Sequence, residues 1–123
     1  MKKVVLLVCL MLFNVAYASD YIEIGYKSYV DLSSYKKDGN YASAWFKDLN
    51  RGEELIEGKK VWFHQLLYKA NCSNNTLNLL YGVTYDTKGK VLRSSGYYPD
   101  TYSYYDPVVP DTVAETKYKY LCN

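Results

Sequence analysis

Two long alternating runs separated by a four-residue connection constrain this chain more than anything else in it. Residues 61–71 and 76–85 alternate with a period of two and are rich in aromatic and β-branched side chains, the pattern of strands. Cys72-Ser73-Asn74-Asn75 joins them and is long enough only for a tight turn, so the pair is a hairpin. Strict alternation puts Trp62, His64, Leu66, Tyr68 and Ala70 on one face of the first run and Val61, Phe63, Gln65, Leu67 and Lys69 on the other. In the second run it gathers Leu77, Leu79, Tyr81, Val83 and Tyr85 on one face.

The flanking segments extend the same pattern. Residues 21–24, 29–31, 41–47 and 91–94 read as strands, while 36–40 and 86–90, each carrying Asp, Gly and a small or basic neighbour, read as turns. Residues 50–60 are polar, bracketed by Gly52 and Gly58, and read as a loop or a single helical turn. The C-terminal end differs: Thr112 lies three residues before Glu115, the spacing of a capping box, and Val113, Ala114, Tyr118, Tyr120 and Leu121 form a helical stripe. The expected class is α+β, mainly β: an antiparallel meander of about six strands with one C-terminal helix.

The N-terminus reads as an export signal. Met1-Lys2-Lys3 precedes an apolar run from Val4 to Val15 and a small-x-small site at Ala16-Tyr17-Ala18, so residues 1–18 are expected to be removed and 19–123 to form a single domain. The run is shorter than the roughly 20 apolar residues that span a bilayer, so no transmembrane segment is expected after cleavage. Cys9 sits inside the run and follows Val8, which does not suit a lipid-attachment site. Cys72 and Cys122 are then the remaining thiols, and an even number in an oxidising compartment implies one disulfide between them, tying the helix to the head of the hairpin connection.

Loss of Lys2 and Lys3 leaves 13 basic against 13 acidic residues. A nucleic-acid partner calls for a basic stripe and is not expected. His64 is the one histidine, in mid-strand, and reads as a packing or surface residue. No second histidine, free thiol, nucleophile elbow, phosphate loop or metal motif accompanies it, so neither catalysis, a metal nor a cofactor is expected. The carboxylates of Asp31, Asp48, Asp86, Asp100, Asp106 and Asp111 fall mostly at turns, where Asp serves local geometry.

Tyrosine is the unusual component, 15 of the 105 residues from Ser19 onward. Tyr68, Tyr81 and Tyr85 belong to the long strands, but Tyr97, Tyr98, Tyr102, Tyr104 and Tyr105 lie among Pro, Asp, Ser and Thr, a composition shared with binding loops. These five are the candidate partner-binding residues, with rings that cover an open end of the sheet as the structural alternative.

The order of features resembles the surface-adhesin protein E family: Tyr29-Val30-Asp31 with Ser33-Ser34, a strand centred on Trp45, an aromatic strand ending at Cys72, Tyr85-Asp86-x-x-Gly89-x-Val91, then Val109-Pro110-Asp111-Thr112 and a tail ending in Cys122. The resemblance implies a small antiparallel domain with its helix held by a disulfide, and a non-catalytic role. Its name comes from a bacterial surface lipoprotein that binds host proteins such as vitronectin, laminin and plasminogen. The function expected is binding of a host extracellular or envelope protein, from the periplasm, the medium or the cell surface, with a homodimer through an open strand edge as one assembly. Two other classes stay open: binding of haem or another small ligand, since Tyr and His both ligate haem iron, and a periplasmic inhibitor of the lysozyme type.

Overall fold

The computed structural model describes residues 20–95, 99–101 and 104–123. The expected signal and Cys9 lie outside them. Strands β1 (Tyr21–Gly25), β2 (Ser28–Asp31), β3 (Lys36–Asp38), β4 (Tyr41–Leu49), β5 (Leu55–Ile56), β6 (Lys59–Asn71), β7 (Thr76–Asp86), β8 (Val91–Ser95) and β9 (Asp106–Pro107) precede helix α1 (Val113–Cys122). All pairings are antiparallel, in the order β1-β2-β4-β6-β7-β8, with β3 beside β4, β5 beside β6 and β9 beside β7.

The class is therefore the expected one, with nine strands among the described residues rather than about six. The additions are short. Lys36–Asp38, read as part of a turn, pairs with Tyr41–Ser43, and only Gly39-Asn40 turns the chain. The polar stretch 50–60 contains a two-residue hairpin, Leu55–Ile56 against Lys59-Lys60, closed through Glu57 and Gly58 at φ 52° and 77°. Two adjacent left-handed residues suit the right-handed twist of a minimal hairpin, and composition alone hides so short a ladder.

Helix α1 covers one face of the sheet. Val30, Ala42, Ala44, Phe46, Ala70, Leu77, Val108 and Leu121 form the core there, with Tyr68, Ala114 and Tyr118 packed against it. Small alanines at 42, 44 and 70 let the helix approach the sheet closely, while Phe46, fully buried, fills the space beyond them.

Strict alternation fails at two places in the hairpin. The register shifts between Tyr68↔Leu79 and Leu67↔Tyr81, leaving Leu80 as an extra residue. Leu77 and Leu79 therefore face the helix, whereas Tyr81, Val83 and Tyr85 sit on the opposite face. A second shift at Trp62 turns Val61 inward, at 1% exposure, and Trp62 outward, at 46%. Each bulge inverts the phase of everything beyond it, so one inserted residue divides a stripe that reads as continuous.

The Asp31-x-Ser33-Ser34 sequence solves a local bonding problem. The outer edge of β4 pairs with β2 at residues 46–48 and with β3 at 41–43, so the strand has a gap between the two partners. The Ser34 hydroxyl accepts the Trp45 N–H there at 2.8 Å. Asp31 Oδ1 in turn accepts from Ser33 N and Oγ at 3.0 and 2.7 Å, and Ser34 Oγ donates to Asp31 O at 2.7 Å, which fixes a short 3-10 turn over Leu32–Ser34. Replacing Ser34 by Ala is expected to cost about 1–3 kcal/mol by leaving a half-buried donor without its acceptor. Urea denaturation measures it, and a cost within error of zero would refute this role.

Thr112 caps α1 by accepting from Glu115 N at 3.2 Å. Glu115 reaches back to the N–H of Asp111, at 3.5 Å, rather than to Thr112 itself. At the other end Cys72 and Cys122 are bonded, S–S 2.02 Å and Cα–Cα 5.5 Å. The Tyr35 hydroxyl donates to Leu121 O at 3.0 Å and the Tyr118 hydroxyl to Cys72 O at 3.3 Å, satisfying carbonyls at the same junction.

Candidate functional site

The face of the sheet turned away from α1 carries interlocked aromatic rings. Trp45 and Tyr81 meet edge to face with centroids 5.7 Å apart, Phe63 and Tyr85 stack at 4.8 Å, and Trp62 lies 5.0 Å from Phe63. Lys47 extends across this cluster, its ammonium 4.3 Å from the Phe63 centroid and 5.7 Å from those of Tyr21 and Trp62. Gln65 ties the phenols together, donating to Tyr21 Oη at 3.4 Å and accepting from Tyr85 at 3.5 Å. Burial raises the Tyr21 phenol above its ordinary value, against the opposing pull of the Gln65 hydrogen bond. A hollow of 240 Å³ lined by Tyr21, Tyr29, Lys47 and Leu49 opens beside it. Apart from the exposed Trp62, the rings here are half-buried by one another, with no second layer over them among the described residues.

Pro99, Asp100 and Tyr105, from the tyrosine-rich stretch, border this face at its far end. Asp100 takes the Lys69 ammonium at 2.8 Å and the Tyr105 hydroxyl at 2.6 Å, and Asn78 Nδ2 donates to Pro99 O at 3.2 Å. Tyr105 packs edge to face on Tyr41, centroids 5.9 Å apart, and Lys69 sits 5.1 Å from the same Tyr41 ring. Burial, then the bond to Asp100, pushes the Tyr105 phenol upward. Partial burial also pushes the Asp100 carboxyl up, but Lys69 and Tyr105 together outweigh it and hold that carboxyl below its ordinary range. Tyr105 thus anchors the segment, while Tyr104 is half exposed, at 49%. Tyr97, Tyr98 and Tyr102 lie outside the described residues.

His64 lies on the helix side, where its Nδ1 is 2.7 Å from Thr84 Oγ1 and its Nε2 is 3.1 Å from Glu54 Oε2. A hydroxyl, an imidazole and a carboxylate in line have the outline of a nucleophile relay. Thr84 is only 6% exposed, however, so a substrate cannot approach its hydroxyl. Both ring nitrogens are engaged, which also counts against His64 as a haem ligand. No group of three or more His, Cys, Asp or Glu residues among those described is arranged to hold a metal.

One buried ionic site escaped the sequence reading. Lys117, 3% exposed, points from α1 into the sheet and donates to Asp48 Oδ2 at 2.6 Å; Ser28 donates to Asp48 Oδ1 at 2.6 Å, and Arg51 lies 3.9 Å from the same carboxylate. The Lys117 ammonium is 4.7 Å from the Tyr68 centroid and 5.7 Å from that of Phe46. Burial lowers its pKa while the Asp48 charge pulls it back up; burial also drives the Tyr68 phenol up to about 12. Position was the available signal: Lys117 is three residues after Ala114 and four before Leu121, on the apolar stripe itself.

A model of the surface-adhesin protein E family matches residues 20–123. The chain belongs to this family. It is also similar in structure to protein E from non-typeable Haemophilus influenzae, with a TM-score of 0.54, 16% sequence identity, and coverage of 85% of this chain and 76% of that one. No curated protein matches the chain by sequence. At that identity the structural likeness speaks for the fold alone.

Three of the motifs shared with the surface-adhesin protein E family make turns or start the helix in this structure. Asp31 and Ser34 close the gap along β4. Asp86 Oδ1 accepts from Lys88 N and Lys90 N at 2.8 and 2.9 Å and shapes the β7–β8 turn around Gly89, φ 82°. Thr112 starts the helix. Trp45 and Tyr85, which belong to the same order of features, lie on the aromatic face, but the resemblance gives them no contact role, so the contact residues are argued from this chain. Among the described residues no helix is long and apolar enough to cross a membrane.

Proposed function

We propose that the domain is an exported, non-catalytic adhesin-like module that binds a host extracellular or envelope protein through the aromatic face opposite α1, with Tyr104 and Tyr105 at its border. The observation that carries this reading is a set of mutually braced rings, Trp45 with Tyr81 and Phe63 with Tyr85, without a covering layer among the described residues, in a member of a surface-adhesin family. Aromatic anchors dominate binding energy at protein interfaces, and rings already held by their neighbours lose little freedom on docking. Lys47 and Lys69 add fixed cationic points to the face. Export through residues 1–18 would deliver the domain to the periplasm or beyond it.

The experiment has two arms. In the first, surface protease shaving of intact cells separates exposure from periplasmic retention. In the second, biolayer interferometry measures binding to host matrix and envelope proteins by wild type and by a Tyr29→Ser, Tyr104→Ser variant. At least a tenfold loss is expected, the scale of a truncated interface anchor. Unchanged binding of every detected partner by the folded variant would exclude this face, and complete protection of the domain within intact cells would exclude adhesion.

A further inference from the structure

We infer that the end of the sheet carrying the β1–β2, β5–β6 and β7–β8 turns binds an acidic polysaccharide chain, such as a sulfated glycan, at a surface that adjoins the protein-binding face proposed above and shares Trp62 with it. Antiparallel topology brings these turns together. Two adjoining depressions lie among them, of 430 and 250 Å³, with Lys60 and Thr87 in the walls of both. Lys27 and Arg51 line the larger one; Lys59, Lys88 and Lys90 line the smaller.

Five of these cations are open to a ligand; Arg51 is engaged by Asp48 and Tyr26 O, and Lys59 and Lys90 act on Asp86 through charge alone. Among the described residues, none of Lys27, Lys59, Lys60, Lys88 and Lys90 lies within ion-pair distance of a carboxylate. Asp86 is the carboxylate in the walls, and its Oδ1 is taken by two backbone N–H groups. Glu53, Glu54 and Glu57 belong to the same end but line neither depression, and Glu54 is held by His64. Six of the 13 basic residues beyond position 18 thus collect at one end of a stretch that carries 13 acidic residues as well.

Aromatic surface accompanies the charge. Trp62, 46% exposed, forms part of the larger depression, and Tyr26, 63% exposed, adjoins it beside Lys27. Tyr26 and Lys27 both adopt left-handed backbone, φ 53° and 57°, in a turn where Asn-Gly would be relaxed. The Arg51 side chain holds that turn by donating to Tyr26 O. Flat rings for the apolar faces of sugars, beside exposed lysines that line the two depressions for sulfates or carboxylates, match an acidic glycan. The charge is confined to one end and lies in hollows, which fits neither a long nucleic-acid track nor a flat lipid surface.

Titration calorimetry of the exported protein with a heparin octasaccharide tests this. Binding should weaken with salt, and Lys59→Gln, Lys60→Gln, Lys88→Gln together should lower the slope of log K against log salt by about 2–3. Trp62→Ala should weaken binding about tenfold with the slope retained. In a Trp45→Phe background the remaining Trp62 fluorescence should change on titration, which keeps the ring's role testable if Trp62→Ala fails to fold. Lys36→Gln with Lys37→Gln, at the opposite end, should match wild type. Any of the following overturns the proposal: no heparin binding at 50 mM salt, an unaffected triple variant, no response of Trp62, or equal binding of desulfated heparin, phosphatidylglycerol vesicles or a single-stranded oligonucleotide.

Discussion

Replacing Cys72 and Cys122 together by serine is expected to destabilise the domain by about 4 kcal/mol, the loop-closure entropy of a 50-residue separation. For a domain of this size each kcal/mol moves the melting temperature by about 4–8 °C, so the midpoint should fall by about 20 °C. The bond deserves that weight because of where it acts. Leu121, beside Cys122, is fully buried in the core, and the helix is only ten residues long, too short to persist in water alone. Without the bond, the Tyr35 and Tyr118 hydroxyls and Leu121 must hold the last turn in place. Thermal melts with and without reductant check it; a wild-type midpoint that reductant leaves unmoved, with both thiols shown free, would refute the staple.

Asp48→Ala should cost about 3–5 kcal/mol, because it leaves the Lys117 ammonium buried without its counter-ion. The sign of the pH dependence follows from the lowered Lys117 pKa. A folded state that binds fewer protons than the unfolded one gains stability as pH rises toward 10.5, and removing Asp48 widens that window by lowering the folded value further. The variant's deficit should therefore shrink between pH 7 and pH 10. Lys117→Met should cost less, since Asp48 keeps Ser28 and Arg51, and Asp48→Leu with Lys117→Met should restore most of the loss by replacing the pair with packing. Urea denaturation of the four proteins at both pH values decides it. A cost for Asp48→Ala below about 1 kcal/mol would show that Lys117 finds water in solution.

The success and failure of local reasoning can be seen along the hairpin and the helix. The helix, its Thr112 cap and the disulfide were legible because each depends on residues a few positions apart or on cysteine parity. The division of Leu77 and Leu79 from Tyr81, Val83 and Tyr85 was not, since alternation carries no mark of an extra residue at Leu80. The candidate site was legible only in part. Tyrosine enrichment in 97–105 points to one border of the aromatic face, but Tyr105 is tethered there by Asp100 and Tyr41, and the rings that brace the face are spread over β1, β4, β6 and β7.

Side-chain period and turn chemistry, both local, were enough to specify an antiparallel sheet, a capped helix and one cross-link. Tertiary structure decided which face each side chain occupies and which charges meet. Lys117 reads as solvent-facing by residue type yet lies under the helix, because Asp48, 69 positions away, lies opposite it across the core. The lysines at 27, 59, 60, 88 and 90 read as scattered charges until three turns gather at one end. Facing and charge pairing depend on register and on contacts between distant segments, and those exist only once the sheet has closed beneath its helix.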